Sequence, residues 1–180
     1  MSSTISSPLA SIYAKFEQQW QNSSYPKLDY DEQWLSPCIL SSPQQQQVDW
    51  RPVVRKIAAD FSGIETALEL TLHPSIKSFY GDYYASSLVV NFQNNRIELV
   101  QPWNEQDFEL LLENMIGHLL MQRRLKQPPT VFIATTDDEM QIVSIDNNSG
   151  EVLLEQLGKG VERVLASTLD EFLEQLSLAD

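Results

Sequence analysis

Few residues of this sequence can act as a base or nucleophile near neutral pH: the two histidines, His73 and His118, and the single thiol, Cys38. Imidazole is the side chain whose ordinary pKa lies nearest to neutrality, so general acid or base catalysis would fall to a histidine. His118 flanks an apolar helical pattern and His73 precedes Pro74. We interpret His118 as a packed structural residue and His73 as a turn residue, and keep a small hydrolase using His118 as the catalytic hypothesis.

Other reactive motifs are absent from the sequence. Cys38 has no cationic neighbour in the chain, which favours a buried, inert thiol over a nucleophile. We find no glycine-rich phosphate loop, nucleophile elbow or HExxH zinc motif. The acidic run at 137–139 lacks the spaced oxygen donors and turn glycine of a calcium loop. The sequence therefore predicts a protein that is not an enzyme and has no cofactor and no metal site.

Charge points to the kind of partner. The 180 residues include 25 acids against 12 Lys and Arg, a formal net charge of -13. Nucleic-acid binders neutralise phosphates with clustered Lys and Arg, so this composition argues against nucleic acid as a partner. The same charge would be repelled by anionic lipid. Acids concentrate in 137–180 and again from Glu98 to Glu113. If the fold joins these acids in one concave face, that face attracts basic polypeptide. The alternative is that the acids are spread over the surface and only keep the protein soluble.

The elements that must position these residues follow from periodicity and turn signals. In the first half we predict a helix over 9–21, a loop over 22–47 with a short helix at 31–35, a helix from a capping box at Ser62 to about 71, and a second helix over 74–79. Strands at 88–92 and 96–101 form a hairpin through Gln93-Asn94-Asn95.

The second half contains the clearest element. Asn104 can cap a helix whose apolar residues, from Phe108 to Leu120, repeat at helical spacing until Pro128-Pro129 forbid continuation. Strands at 131–134, 141–145 and 151–156 form a meander, and Ser167 or Thr168 caps a last helix. We predict an α+β fold in which helices flank one mainly antiparallel sheet, with an N-terminal helix and a long central core helix. The domain covers 1–180, and 1–7 are frayed.

Several literal strings carry a family resemblance. The longest runs from Asn114-Met115-Ile116-Gly117-His118-Leu119 through Gln122-Arg123-Arg124-Leu125-Lys126 to Pro128-Pro129-Thr130-Val131-Phe132-Ile133-Ala134. Shorter ones are Ser36-Pro37-Cys38-Ile39, His73-Pro74 with Phe79-Tyr80, Trp103 with Asp107-Phe108, and Ser149-Gly150-Glu151-Val152 followed by Glu155 and Leu157-Gly158. In these strings, and over nearly the whole chain, the sequence resembles Syd, the SecY-interacting protein family of proteobacteria.

The resemblance implies a non-catalytic peripheral protein on the cytoplasmic side of the inner membrane, also soluble in the cytoplasm. Its implied partner is SecY, the channel subunit of the protein-export translocon, whose assembly it would regulate or monitor. Cytoplasmic loops of membrane proteins are rich in Lys and Arg, so acidic docking on those loops, without direct lipid insertion, is expected. The wider superfamily includes immunity proteins, so an immunity-type protein that neutralises a basic toxin is the alternative.

Family-matching strings and charge together select the candidate contact residues. Five acids are expected on the acidic face, with one tryptophan as an aromatic anchor of the hot-spot type. These residues are Glu105, Asp107, Glu113, Glu139, Glu151 and Trp103.

Overall fold

A computed structural model of the chain describes residues 6–179. These residues contain five helices: α1 (Ala10–Trp20), α2 (Ser62–Leu68), α3 (Pro74–Gly81), α4 (Glu105–Arg124) and α5 (Leu169–Glu174). The eleven strands within 6–179 are β1 (Lys27–Asp29), β2 (Gln47–Asp49), β3 (Val53–Val54), β4 (Tyr83–Tyr84), β5 (Leu88–Phe92), β6 (Asn95–Leu99), β7 (Thr130–Thr136), β8 (Gln141–Asp146), β9 (Val152–Gln156), β10 (Gly160–Ala166) and β11 (Ser177–Leu178). Of the segment 1–7 that was predicted to fray, the structure describes only residues 6 and 7. The Ser7 carbonyl accepts a hydrogen bond from the Ala10 N–H at 3.0 Å.

One antiparallel sheet organises the molecule. Its seven strands lie in the order β10-β9-β8-β7-β6-β5-β11, and β1–β2 and β3–β4 form two separate two-stranded sheets. Helix α4 packs on β7, α1 packs against β11 and α5, and α2 packs against α4. A single cluster of buried apolar side chains extends from Leu9 to Leu176. The α+β fold with one mainly antiparallel sheet flanked by helices is confirmed.

Helix α4 forms where its cap and its apolar spacing predict. The Asn104 side chain accepts a hydrogen bond from the Asp107 N–H at 2.8 Å, which satisfies one of the free donors of the first turn. Phe108, Leu111 and Met115 face the core, whereas the predicted core residue Leu120 is 41% exposed. The long central helix is therefore confirmed, and its buried stripe is narrower than its apolar residues suggest.

Two local predictions in the first half are wrong. Ser62 does not cap α2; it is the first helical residue, and its N–H donates to Asp60 Oδ1 at 2.9 Å. Glu65 therefore does not complete a capping box but accepts the Leu72 N–H and the Lys77 ammonium instead. The expected short helix at 31–35 is a turn, because the Asp31 carboxylate accepts the Gln33 N–H and competes with helical bonding.

The strand predictions succeed in the centre of the sheet and fail at its edges. The β5–β6 hairpin turns at Gln93 and Asn94, both with positive φ, as a two-residue hairpin loop requires. The β7–β8–β9 meander is confirmed. Strand β10 was not predicted, because its side chains from Val161 to Val164 are all exposed and show no alternation.

Candidate partner-binding site

A cavity of about 290 Å³ opens between the β1 segment, the β4–β5 connection and the start of α4. Three carboxylates line it, those of Asp29, Asp31 and Asp107, and no Lys, Arg or His is among its lining residues. None of the three forms an ion pair with any residue in the described part of the chain. We call this the acidic cavity, and its electrostatic potential is suited to a cation.

Aromatic side chains form much of the wall of the acidic cavity: Tyr30, Trp34 and Trp103. Trp103 is held firmly, because its indole N–H donates to the Trp34 carbonyl at 3.1 Å and its own carbonyl accepts the Ser36 hydroxyl at 2.6 Å. Its ring also meets Trp50 edge to face at 6.2 Å. The predicted anchor Trp103 is therefore half-buried and ties the loop of 30–36 to the start of α4. Aromatic faces attract Lys and Arg side chains, which adds to the effect of the carboxylates.

Asp107 both caps α4 and lines the cavity. Its carboxylate accepts the Trp103 N–H at 2.8 Å, while its own N–H donates to Asn104. This pair of hydrogen bonds resembles a capping box displaced by one residue, since Asp107 accepts the N–H that precedes the cap, and it places a negative charge beside the positive helix start. By contrast, Asp29 and Asp31 are exposed, and Asp29 receives only a long hydrogen bond from the Gln47 amide at 3.4 Å. Asp29 and Asp31 are the carboxylates most available to a partner.

Glu105 is already neutralised within the protein. The Arg55 guanidinium, whose side chain is only 4% exposed, lies 2.7 Å from the Glu105 carboxylate and sits between the rings of Tyr84 and Phe108. The Tyr84 hydroxyl also donates to Glu105, at 2.6 Å. Burial, with this hydrogen bond as the second cause, raises the pKa of Tyr84 to about 12. Glu105 is therefore the counterion of the buried Arg55 guanidinium, and it is not among the residues that line the acidic cavity.

The other three predicted acids lie away from this cavity. Glu113 is exposed in the middle of α4, two turns beyond Asp107. Glu139 lies in the turn between β7 and β8, and Glu151 precedes β9, so the two stand at opposite ends of β8. At the usual rise per strand residue that separates them by about 20 Å. Of the six predicted contact residues, the structure brings Trp103 and Asp107 together in one cavity.

Two cavity acids were missed by the sequence interpretation. Asp29 and Asp31 fell inside a segment treated as loop, although Lys27, Leu28 and Asp29 alternate in exposure and pair with β2. The available signal was the alternation of acids with Leu28 and Tyr30 in the 28–31 stretch. A further acid adjoins the cavity: Glu98 accepts the hydroxyl of Ser87, a residue of the cavity wall, at 2.7 Å.

The side chains that could act in catalysis lie in packed surroundings, and His118 is the first of them. His118 Nε2 is buried without a hydrogen-bond partner among the described residues, and its ring meets Phe132 edge to face. Burial lowers the pKa of His118, with the Glu155 charge acting in the opposite direction. Glu155 itself is buried and accepts the hydroxyls of Thr130 and Ser144. No nucleophile or acid lies in hydrogen-bond reach of Nε2 in 6–179, so this geometry does not support the hydrolase hypothesis.

His73 and Cys38 also have packing roles. His73 caps α3 by accepting the Ser75 N–H, and its ring packs so closely on Gly150 that a Cβ there would lie 2.5 Å from the ring. Gly150 has a φ of +80°, a conformation that glycine adopts most easily. Cys38 is fully buried, and burial raises the pKa of its thiol to about 11. A neutral, inaccessible thiol is a poor nucleophile.

Comparison with known proteins places the chain in a family. A family described as "Syd protein (SUKH-2)" matches residues 6–177. The chain belongs to the Syd family. Protein Syd of Psychromonas ingrahamii is 45% identical over 179 residues, which is 98% of this chain and 97% of the relative. Protein Syd of Aeromonas salmonicida is 42% identical, with the same coverage of both chains. Protein Syd of Pseudoalteromonas atlantica is 36% identical over 180 residues, again 98% of this chain and 97% of the relative.

The family assignment agrees with the resemblance in the long string that begins at Asn114. Within the described residues, no helix is both long and apolar enough to span a membrane. In the same part of the chain, no three His, Cys, Asp or Glu side chains are grouped closely enough to hold a metal ion.

Proposed function

We propose that this chain is a non-catalytic binding protein that docks on basic cytoplasmic loops of the SecY channel subunit and regulates or monitors assembly of the translocon. The observation that carries the proposal is the acidic cavity: three carboxylates and three aromatic rings around a concavity that no cationic side chain lines. Family membership supports the choice of partner. Membrane association would then occur at the cytoplasmic face of the inner membrane, through the protein partner.

Charge complementarity explains why a loop is preferred to bare lipid. Cytoplasmic loops carry excess Lys and Arg, whereas the cytoplasmic lipid surface is anionic and repels a chain of net charge -13. A Lys or Arg side chain entering the acidic cavity meets Asp29 and Asp31 and can lie against the ring of Trp34. Because Glu105 is already paired with the buried Arg55 guanidinium, its charge attracts a basic loop less than the charges of the exposed Asp29 and Asp31 do.

Co-purification of SecY from detergent-solubilised membranes tests the proposal. The double variant Asp29→Lys with Asp31→Lys should reduce SecY recovery about tenfold or more, since like charges then face the basic loop. Glu109→Lys with Glu174→Lys is the matched control, because it makes the same charge change at exposed acids that neither line the cavity nor are among the predicted contact residues. Equal recovery of SecY by both double variants would refute docking in the acidic cavity.

Salt dependence provides a second test with the same variants. Exposed charges are screened over about 8 Å at physiological ionic strength, so binding of a synthetic Lys/Arg-rich loop peptide should weaken as salt rises. The cavity variant should lose most of this dependence, whereas the control variant should retain it. The immunity-type alternative predicts instead that the wild-type chain captures a soluble basic toxin and recovers no SecY from membranes.

A further inference from the structure

Helix α4 leaves apolar side chains uncovered on its outer side. The opposite side packs on β7 and α2, but Leu110 is 46% exposed and Met121 is 38% exposed. Met121 follows Leu110 by eleven positions, which is close to three full turns, so the two side chains point in nearly the same direction. Gly117 lies between them on the same line, and Leu125, just beyond the helix, extends it with 49% exposure. We call this line the outer face of α4.

Gly117 has no structural reason to be a glycine within the described residues. Glycine destabilises the middle of a helix relative to alanine, because it loses more conformational freedom on folding. Its backbone here is helical, and beyond the adjacent turns of α4 no described atom lies within 4 Å of the position that a Cβ would occupy. The missing side chain does, however, allow the backbone of another helix to approach the outer face closely.

The charges beside the outer face change sign along the helix. Glu109 and Glu113 lie in the first half of α4, and Arg124 lies in its last turn. All three are exposed, and none forms an ion pair with a residue in 6–179. This order agrees with the helix dipole. It is also self-complementary, because a second α4 running in the opposite direction would place its base beside the acids of the first.

One antiparallel register satisfies both the apolar and the charged residues. Facing Leu110 with Met121 of a second copy places a two-fold axis between positions 115 and 116. Facing Glu109 with Arg124 of that copy places the axis between 116 and 117, which differs by one residue or about 1.5 Å. Glu109 and Arg124 project on the same side of the apolar line, so the symmetry sets them opposite one another. Gly117 then lies beside the axis, where the two helices are closest.

We infer that α4 pairs antiparallel with α4 of a second copy of this chain. Leu110, Gly117 and Met121 form the seam, and two Glu109–Arg124 ion pairs flank it. One helix offers less area than a standard protein interface, and the net charge of -13 opposes association, so the dimer is reversible with a Kd of about 100 μM. The outer face does not line the acidic cavity, and the inference does not depend on the proposed function.

Sedimentation velocity of the full chain at physiological ionic strength tests the pairing. Between about 10 μM and about 1 mM the wild-type chain should change from mainly monomer to mainly dimer. Glu109→Lys and Arg124→Glu should each raise Kd at least about tenfold, because like charges then face each other twice. The double variant with both changes restores opposite charges in the same register. Its Kd should return to within about threefold of wild type.

Controls separate the pairing from net charge and from folding. Glu174→Lys makes the same charge change as Glu109→Lys on an exposed acid of α5, and it should not weaken the dimer. Gly117→Leu should weaken the dimer at least about tenfold while raising the melting temperature, since leucine is the better helix former.

Three results would overturn the inference. The first is a chain that stays monomeric at about 1 mM, where a Kd of about 100 μM requires mainly dimer. The second is a dimer that neither single charge variant weakens. The third is a double variant as weak as the single variants, because only the antiparallel register brings position 109 opposite position 124.

Discussion

The acidic cavity and the Arg55–Glu105 pair lie side by side at the start of α4. The carboxylates of the cavity have no counterion within residues 6–179, whereas the Glu105 carboxylate has one. Asp29 and Asp31 face a cavity without any cation, whereas Glu105 holds a guanidinium that is almost fully buried. Both sets come from the same acidic composition. The difference shows that the count of acids in a segment does not identify the acids available to a partner; the internal pairing of each carboxylate decides it.

The strongest test of this comparison makes one charge change in both regions. Glu105→Lys should lower the free energy of unfolding by about 2 kcal/mol, because it leaves the buried Arg55 without its counterion and adds a second cation beside it. Asp29→Lys should change stability by less than about 0.5 kcal/mol, since Asp29 is exposed and receives only one long hydrogen bond, from the Gln47 amide at 3.4 Å. Urea denaturation measures both values. Similar losses in the two variants would contradict the distinction.

A smaller effect is expected at Trp103, where the contact and structural roles can be separated. Trp103→Phe keeps an aromatic ring but removes the indole N–H that binds the Trp34 carbonyl, so it should cost about 1 kcal/mol of stability. Affinity for a basic loop peptide should fall by no more than about threefold, because Asp29 and Asp31 remain. A loss of affinity with unchanged stability would instead identify Trp103 as a direct contact. Denaturation and calorimetric titration provide the two readouts.

The smallest effect concerns pH and His118. Because burial lowers the pKa of folded His118, the unfolded chain binds a proton more readily than the folded chain below the ordinary histidine pKa of about 6.5. The stability contribution of neutral His118 is therefore complete above that pH and is lost as pH falls toward the lower pKa of the folded state. The fall in unfolding free energy from neutral to mildly acidic pH should be shallower for His118→Gln than for wild type. Parallel pH profiles would contradict a desolvated histidine.

The sequence predicted those elements whose signals are local. Asn104 and Thr168 cap their helices by side-chain hydrogen bonds, and Gln93-Asn94 makes the hairpin turn, because capping and turn geometry depend on neighbouring residues. Strand β1 and the assembly of the acidic cavity depend on contacts between distant segments, such as Trp103 with Trp34. The pairing of Glu105 with Arg55 spans fifty positions, so no local pattern could indicate it.

The site prediction shows the same limit. Asp107 and Trp103 were selected because they lie in a family-matching string, and both line the acidic cavity. Glu139 and Glu151 were grouped by charge, but the antiparallel meander carries them to opposite ends of one strand. Composition predicted an acidic surface, while only the chain's path determines which acids share a concavity.

The two borders of the main sheet also bear on how the protein behaves at high concentration. On one border β11 has only two residues, and on the other β10 is interrupted by register shifts after Val161 and Val164. Short or irregular outer strands offer no flat row of free amides on which a second chain could grow. The extra residue Glu162 thereby also protects against fibre formation, because deleting it would straighten the outer strand beside Val161 and Val164, whose side chains are already exposed.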